Sequence, residues 1–549
     1  MHFLRNSIIT GGFFVLSVLS FAQSKDFKIA QSLDIFHSLL RELSLFYVDS
    51  IEVEKLVTTG IEGMLESLDP YTVYIPEEIA DDFDIMLTGQ YGGVGALIKK
   101  APGGIVVSEP YKGFPADRAG LVSGDKILEI DGDATANMDV STASKRMKGA
   151  VGTGLAMKVA KLRGSDTVTL QLTRDRIRIS DITYAGMLAG NTGYIRLSSF
   201  TKDGSRDFKQ AFMALQKDGA LQKLVIDLRS NSGGSLDEAV NVVSLFVPRN
   251  TEVVALRGRI KQFDRVYKTK DQPLDTEIPI AVLVNNLSAS AAEIVAGALQ
   301  DLDRAVIIGS RTFGKGLVQT PSKLGYNAQL KMTTAKYYIP SGRCIQAIDY
   351  SHRNADGSVG QIPDSLIRAF KTKNGRTVYD GGGILPDILS EPLSYAKITY
   401  DIASRDMLHD FSVRYFAKHP AIAAPEHFQL TDEEYNEFVQ YAADKPFDDR
   451  TTTELLLAQL EAAIKAERLY DTAKAELDTL HAKISHDKRS KLLLFRPELQ
   501  QLLENEICAR YYYDEGRIRS MLRHDRQADA AIRLLNDTAA YKYELRTKN

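Results

Sequence analysis

Two short apolar runs constrain the fold more than anything else in this sequence. Leu224-Val-Ile-Asp-Leu228 and Ile280-Ala-Val-Leu-Val284 are compact, nearly free of polar residues and too short for helices, which is the pattern of buried strands. Between residues 177 and about 395 such strands alternate with helical stretches, so the centre of the chain reads as an α/β core. The flanks differ. Residues 27–68 carry a helical apolar face (Ile29, Leu33, Ile35, Phe36, Leu39, Leu40), and a second helix from Val53 to Leu68 is ended by Asp69-Pro70. A Gly-rich segment, Gly89 to Gly95, opens a run of short alternating strands to about residue 176. Beyond residue 400, stretches 451–482 and 486–512 are rich in Leu, Ala, Glu and Lys at helical spacing with almost no glycine, and read as a helical appendage. At 549 residues the chain is too long for one core. The expected fold class is multidomain α/β, with a helical segment at 23–88, a small β-rich module at 89–176, the core at 177–395 and a helical extension at 396–549.

At the N-terminus, His2 and Arg5 precede an apolar run from Ile8 to Phe21 that turns polar at Gln23-Ser24-Lys25. The run is shorter than a membrane span and ends in Ser20-Phe21-Ala22, as a secretory signal peptide does. The expectation is export, to a periplasm or the outside, with a soluble mature chain after cleavage near Ala22; an uncleaved anchor is the alternative. With 68 basic and 71 acidic residues and no long basic block, nucleic acid is excluded as the main partner. Cys344 and Cys508 make no disulfide framework, and the nine histidines show no zinc-ligand spacing, so no metal site is expected.

Two segments carry chemistry. In the first, Gly120 and Gly124-Asp125 supply turns around a short helix, and Ile127, Leu128 and Ile130 form a buried strand before an Asp131-Gly132 turn. With Pro115-Ala116 upstream, this resembles a PDZ domain. The resemblance makes Tyr91-Gly92-Gly93-Val94-Gly95 the loop whose amides hold a peptide's terminal carboxylate. The strand that follows, beginning at Ala96 and Leu97, would pair with that peptide by β-augmentation. A dinucleotide loop is excluded, because no helix follows the glycines.

The second is Leu287-Ser288-Ala289-Ser290-Ala291-Ala292-Glu293-Ile294, a serine between a buried strand and an apolar helix. A serine there lies at a positive helix end, where backbone amides can hold an oxyanion. Ser290 with Glu293 is also an ordinary capping box. The motif Thr312-Phe313-Gly314-Lys315-Gly316-Leu317-Val318-Gln319 shifts the balance. A lysine between two glycines suits a loop that delivers an amine, and a serine hydroxyl needs a base. Burial can make lysine one by disfavouring its charged form.

Together, Ser-Ala-Ser-Ala-x-Glu and Thr-Phe-Gly-Lys-Gly-x-Val-Gln resemble the carboxyl-terminal processing peptidases, or tail-specific proteases. The resemblance implies a crotonase-like protease core, Ser290 rather than Ser288 as nucleophile, Lys315 as general base and Gln319 orienting the lysine. It implies a supporting role for Asp301. Asp227-Leu228-Arg229-Ser230-Asn231-Ser232-Gly233-Gly234 matches the family's Gly-Gly turn, which makes the amides of Gly233 and Ala291 the oxyanion hole. Tyr337 to Arg343 and Gly383 to Asp387 match core-closing segments. Ser232 and Ala292 depart from the residues usual there, and Lys148-Gly149 stands where some relatives place a coupling arginine.

The implied activity is a serine endopeptidase acting on proteins with apolar C-terminal tails, without cofactor. Amphipathic helices in the N-terminal segment and the extension are candidate homo-oligomer surfaces, with packing on the core as the alternative. An activating adaptor is a further candidate partner. A trypsin-like reading of Asn231-Ser232-Gly233-Gly234 fails, because His37, on a helical face, is the only histidine between the apolar leader and Ser232. A non-catalytic PDZ scaffold and a small-ligand binder on the same core are the rival classes.

Overall fold

The computed structural model describes residues 25–546 apart from 165, 218, 392 and 393. The signal peptide expected at residues 1–22 lies outside the described residues. The described residues divide into two compact units, one of those up to 78 with 319–333, the other of those in 79–318 and from 334 onward.

In the first unit, helices α1 (25–46) and α2 (Val53–Glu66) precede strand β1 (Val73–Ile75). The Asp69 carboxylate accepts the amides of Tyr71 and Thr72 and the Thr72 hydroxyl, which turns the chain out of the helix. β1 then pairs antiparallel with residues 329–331.

The second unit opens with the β-rich module. Its strands are β2 (Gln90–Gly93), β3 (Ala96–Ala101), β4 (Gly104–Pro110), β5 (Lys126–Ile130), β6 (Gly154–Ala160), β7 (Thr167–Thr173) and β8 (Asp175–Arg178). Helices α3 (Pro115–Arg118) and α4 (Val140–Met147) complete it. The main sheet runs β3-β4-β5-β6-β7, which leaves β3 at an edge, and β2 pairs separately with β8. Val107, Ile127, Ile130, Met157 and Val159 fill its core.

The α/β core is a six-stranded sheet of β9 (Ile182–Leu188), β10 (Thr192–Leu197), β11 (Lys223–Asp227), β12 (Ile280–Val284), β13 (Val306–Gly309) and β14 (Ile388–Leu389), in that spatial order. The first pair is antiparallel and the rest are parallel. Leu224, Ile226, Ile280, Val282 and Val284 face helices α5 (Gly204–Gln216), α6 (Leu236–Ser244) and α7 (Ala291–Asp301).

The opposite face holds Val225, Ala281, Leu283, Val306 and Ile308, and it is covered by the C-terminal residues Ile518, Ala531, Leu534, Leu535 and Tyr541. The Tyr541 hydroxyl even brackets the Ile280 peptide, accepting from its N–H at 3.0 Å and donating to its carbonyl at 3.2 Å. The last helices of the C-terminal extension are therefore a structural layer of the core, the packing alternative for that extension. A parallel sheet needs both faces covered, and here the tail supplies the second cover.

The rest of that region is a helical domain with its own core around Phe411, Tyr435, Phe438, Leu499 and Leu503. It includes α8 (Met407–Lys418), α9 (Thr452–Ala466), α10 (Tyr470–Ile484) and α11 (Arg496–Leu522), while α12 (Arg526–Asn536) and α13 (Thr538–Glu544) carry residues that cover the sheet. The stretch 451–482, at helical spacing throughout, is divided into α9 and α10 at Arg468, whose φ is +63°. α11 runs past residue 512 through a kink at Tyr512 and Tyr513. Among the described residues no helix is long and apolar enough to cross a membrane.

Candidate active site

The parallel strands β11, β12 and β13 end on one side of the sheet, where open α/β folds bind their ligands. After β12 the chain turns through Asn285–Ala289 into α7, and Ser290 sits at the turn with φ +56° and ψ −114°. That conformation is strained for any residue with a Cβ and persists only where neighbours enforce it. Several do. Ala289 N–H donates to Asn231 O, Phe313 N–H donates to Ser288 O, and the Tyr337 hydroxyl donates to Ser290 O at 3.3 Å. Ser288 is committed to structure, its hydroxyl donating to Leu228 O at 2.8 Å in a fully buried position.

Glu293 organises the site. It is fully buried, and its carboxylate accepts four hydrogen bonds. Oε1 takes the Thr312 hydroxyl at 2.6 Å and Gly314 N–H at 2.7 Å. Oε2 takes Ser290 N–H and Lys315 N–H, both at 2.9 Å. One carboxylate oxygen thus brings the backbones of the candidate nucleophile and the candidate base together. Burial pushes the Glu293 carboxyl up to about 6 against the four donors that pull it down, so it is ionised at neutral pH.

The glycines around Lys315 are explained by close approach. A Cβ on Gly314, at φ +85°, would lie 2.4 Å from Ala347 Cβ. One on Gly316 would lie 2.8 Å from the Gln346 amide nitrogen. The sequence offered Glu293 only as a capping partner. Its signal was present nonetheless, since a carboxylate in a helix apolar on every side must be satisfied internally.

The Gly-Gly turn lies against the same helix end. A Cβ on Gly233 would be 2.8 Å from Ser290 Cβ and 3.0 Å from Ala291 N, so only glycine fits. The Gly233 N–H donates to Asn231 Oδ1 at 2.8 Å, while buried Asn231 is itself fixed by its Nδ2 donating to Leu197 O. The N–H groups of Gly234 and Ala291 donate to nothing among the described residues.

A family model for peptidase family S41 matches residues 191–351, one for the PDZ domain matches 84–160, and one described as a probable PDZ-protease C-terminal helical domain matches 398–535. The carboxy-terminal-processing protease of Bartonella bacilliformis is 37% identical over 347 residues, 62% of this chain and 79% of that protein. This chain belongs to the carboxy-terminal-processing protease family. A probable CtpA-like serine protease of Staphylococcus aureus is 33% identical over 316 residues, 57% of this chain and 62% of that one. Among solved structures, the photosystem II D1 C-terminal processing protease is 28% identical, with a TM-score of 0.33 over 65% of this chain and 92% of that one.

As a member of this family the chain is a serine-type peptidase with a PDZ domain, an S41 core and a helical C-terminal domain. The remaining candidate residues are distributed differently from Ser290 and Lys315. Asp301 lies eleven residues after Ser290 at the other end of α7, where Arg343 Nη2 and Ser341 N–H donate to it at 2.9 and 3.0 Å. Gln319, on the strand Leu317–Lys323, donates to the Thr333 hydroxyl at 3.1 Å.

In the PDZ domain, Tyr91–Gly93 are strand residues paired with Asp175–Ile177, so the open turn is only Val94-Gly95. Gly95 has φ +74°, and a Cβ there would strike Phe114. The N–H groups of Val94 and Gly95 donate to nothing among the described residues. Ala96 and Leu97 follow on the edge strand β3, with Leu97 exposed. Among the described residues no cluster of His, Cys, Asp or Glu has a metal-binding arrangement.

Proposed function

We propose that this protease is an exported endopeptidase that captures protein C-terminal tails in its PDZ domain and cleaves them by a Ser290/Lys315 mechanism. The observation that carries the reading is the shared Glu293 oxygen, which holds the Ser290 and Lys315 amides at 2.9 Å each. In the reaction, neutral Lys315 takes the Ser290 hydroxyl proton as Oγ attacks the scissile carbonyl. The oxyanion is held by Ala291 N–H and an amide of the Gly-Gly turn. The Lys315 ammonium then protonates the leaving amine. Water, deprotonated by Lys315, hydrolyses the ester and the proton returns to Ser290. Gln319 orients the lysine, and Asp301 supports the fold of the site only indirectly, by anchoring the far end of α7 through Arg343 and Ser341.

For Gly233 to be the second oxyanion donor, the Asn231 carboxamide must release its N–H; the uncommitted Gly234 amide is the donor if it does not. The same hydrogen bond favours a second reading, a protease at rest until a tail or an activating adaptor opens the turn. In the PDZ domain, the amides of the Tyr91–Gly95 segment receive the terminal carboxylate, with Val94 and Gly95 the uncommitted ones, and the tail adds to β3 along Ala96 and Leu97. The proposed domain limits are 1–22, 23–88, 89–176, 177–395 and 396–549, the first being the signal peptide. The α1 face, with Leu33 64% and Phe46 73% exposed, is the proposed homo-oligomer surface.

The test uses wild type, Ser290→Ala and Lys315→Ala on an unstructured protein with an apolar C-terminus. Cleavage by wild type alone supports the mechanism. Cleavage by Ser290→Ala sinks it. Inactivity of all three, with each folded and binding the tail peptide, points to the scaffold or the resting protease.

A further inference from the structure

We propose that Asp525, in the C-terminal helical domain, is a positioning residue for the active site, acting through Arg229 on the Gly-Gly turn. The inference rests on the Ser290 reading above. Arg229 leads directly into that turn, and its guanidinium has five N–H donors. All five are engaged. Nε and Nη2 donate to Asp227 at 2.9 and 2.6 Å, Nη1 and Nη2 donate to Asp525 at 2.9 and 2.5 Å, and Nη1 also donates to Gln527 Oε1 at 3.0 Å.

The cluster is buried, with the Asp227, Arg229 and Asp525 side chains 0%, 16% and 10% exposed. Asp227 is anchored in turn by the Tyr194 hydroxyl at 2.5 Å. A guanidinium forked between two carboxylates has one orientation, and that geometric fixity distinguishes it from a surface ion pair. Immediately after it, Ser230 takes φ +60° and donates its N–H to Asn285 Oδ1, and Asn231 O receives the Ala289 N–H. The start of the turn that packs on Ser290 is therefore set from two sides: by Asp227 on the sheet and by Asp525 on the helical domain.

Asp525 is itself well placed to hold. It caps α12, accepting the amides of Gln527 and Ala528 at 3.0 Å. It follows α11, whose Arg510 donates to Ser108 O and Ser123 Oγ and whose Tyr513 hydroxyl donates to Asp117, all in the PDZ domain. Tyr513 makes that contact from φ +59° and ψ −160°, a strained conformation at the kink of α11. The segment from Arg510 to Asp525 thus grips the PDZ domain at one end and the Gly-Gly turn at the other.

The test compares Asp525→Ser and Asp525→Asn with wild type and Ser290→Ala in the full chain. Serine and asparagine both keep a good helix cap, so loss of the cap is not the variable. Kinetics on an unstructured substrate, melting temperature and tail-peptide affinity are measured together. The expected result is a kcat lower by about 10- to 100-fold for Asp525→Ser, with KM and peptide affinity unchanged, and an intermediate kcat for Asp525→Asn, which retains one carbonyl acceptor. Wild-type kcat in folded Asp525→Ser overturns the proposal, as does a loss of kcat that only tracks the loss of folded protein in both variants. Activity retained by Ser290→Ala instead overturns the reading on which it rests.

Discussion

At the N-terminal end of α7 a single carboxylate, Glu293, accepts three backbone amides and one hydroxyl. At the C-terminal end, Asp301, Asp303 and Asp387 meet the guanidiniums of Arg343 and Arg376. Both ends are buried and polar, and both tie distant loops to the helix. The C-terminal end does so with three carboxylates, each ion-paired to one of two guanidiniums, and it fixes Ser341, Asn374 and Ile307 through the same carboxylates. The N-terminal end leaves a carboxylate with no cationic side chain among those four partners, beside a serine at φ +56°. A carboxylate held by four neutral donors and a strained backbone mark the proposed site, whereas ion-paired carboxylates far from it are a staple. Asp301 stands in the staple, about 16 Å along the helix from Ser290 at 1.5 Å per residue.

The sharpest way to break this contrast is Glu293→Gln. The replacement keeps the shape but turns an NH2 toward backbone donors, so each unsatisfied contact costs about 1–3 kcal/mol. Peptidase activity should fall by about 100-fold or more while the protein still folds at 25 °C; near-normal kcat would show that the shared oxygen does not position the site. Next in size is Arg343→Met at the opposite end. Leaving Asp301 buried without its cation should destabilise the protein by about 3–5 kcal/mol in urea unfolding. Its kcat per folded molecule should stay within about threefold of wild type at 25 °C. A collapse of kcat with stability intact would move Asp301 and Arg343 from staple to site.

The smallest effect is a pH dependence. The Glu293 carboxyl rises from an ordinary 4.5 to about 6 on folding, so the folded chain holds a proton that the unfolded chain has lost between those values. The contribution to stability is fully present below pH 4.5 and is lost as pH rises through about 6. It amounts to about 2 kcal/mol at 1.36 kcal/mol per pKa unit. Urea midpoints of wild type against Glu293→Gln from pH 4 to 7 should differ by that slope and no further above pH 7. Parallel curves would mean that the four donors cancel the effect of burial.

Much of the contrast was legible in the sequence. The placement of Ser290 between a buried strand and an apolar helix, and of Lys315 between two glycines, pointed to both halves of the proposed site before any geometry. The apolar centre of β11 and the fully apolar β12 announced buried strands, but nothing in their residues could say that Ile518, Leu535 and Tyr541 would supply the cover. That is a long-range choice made by packing. The turn at Arg468 and the kink at Tyr513 were hidden because each places a residue with a Cβ at positive φ, where a glycine would have flagged the break. Asn231 was read only as part of a glycine turn, since its hydrogen bond to Gly233 N–H depends on the backbone angles of that turn.

The most direct measurement is site mapping after reaction with a fluorophosphonate, by mass spectrometry of digested protein. The account predicts a single rapid adduct on Ser290, slowed strongly in both Lys315→Ala and Glu293→Gln. Labelling of Ser288 or Ser232 in its place, or labelling of Ser290 at an unchanged rate in both variants, would contradict it.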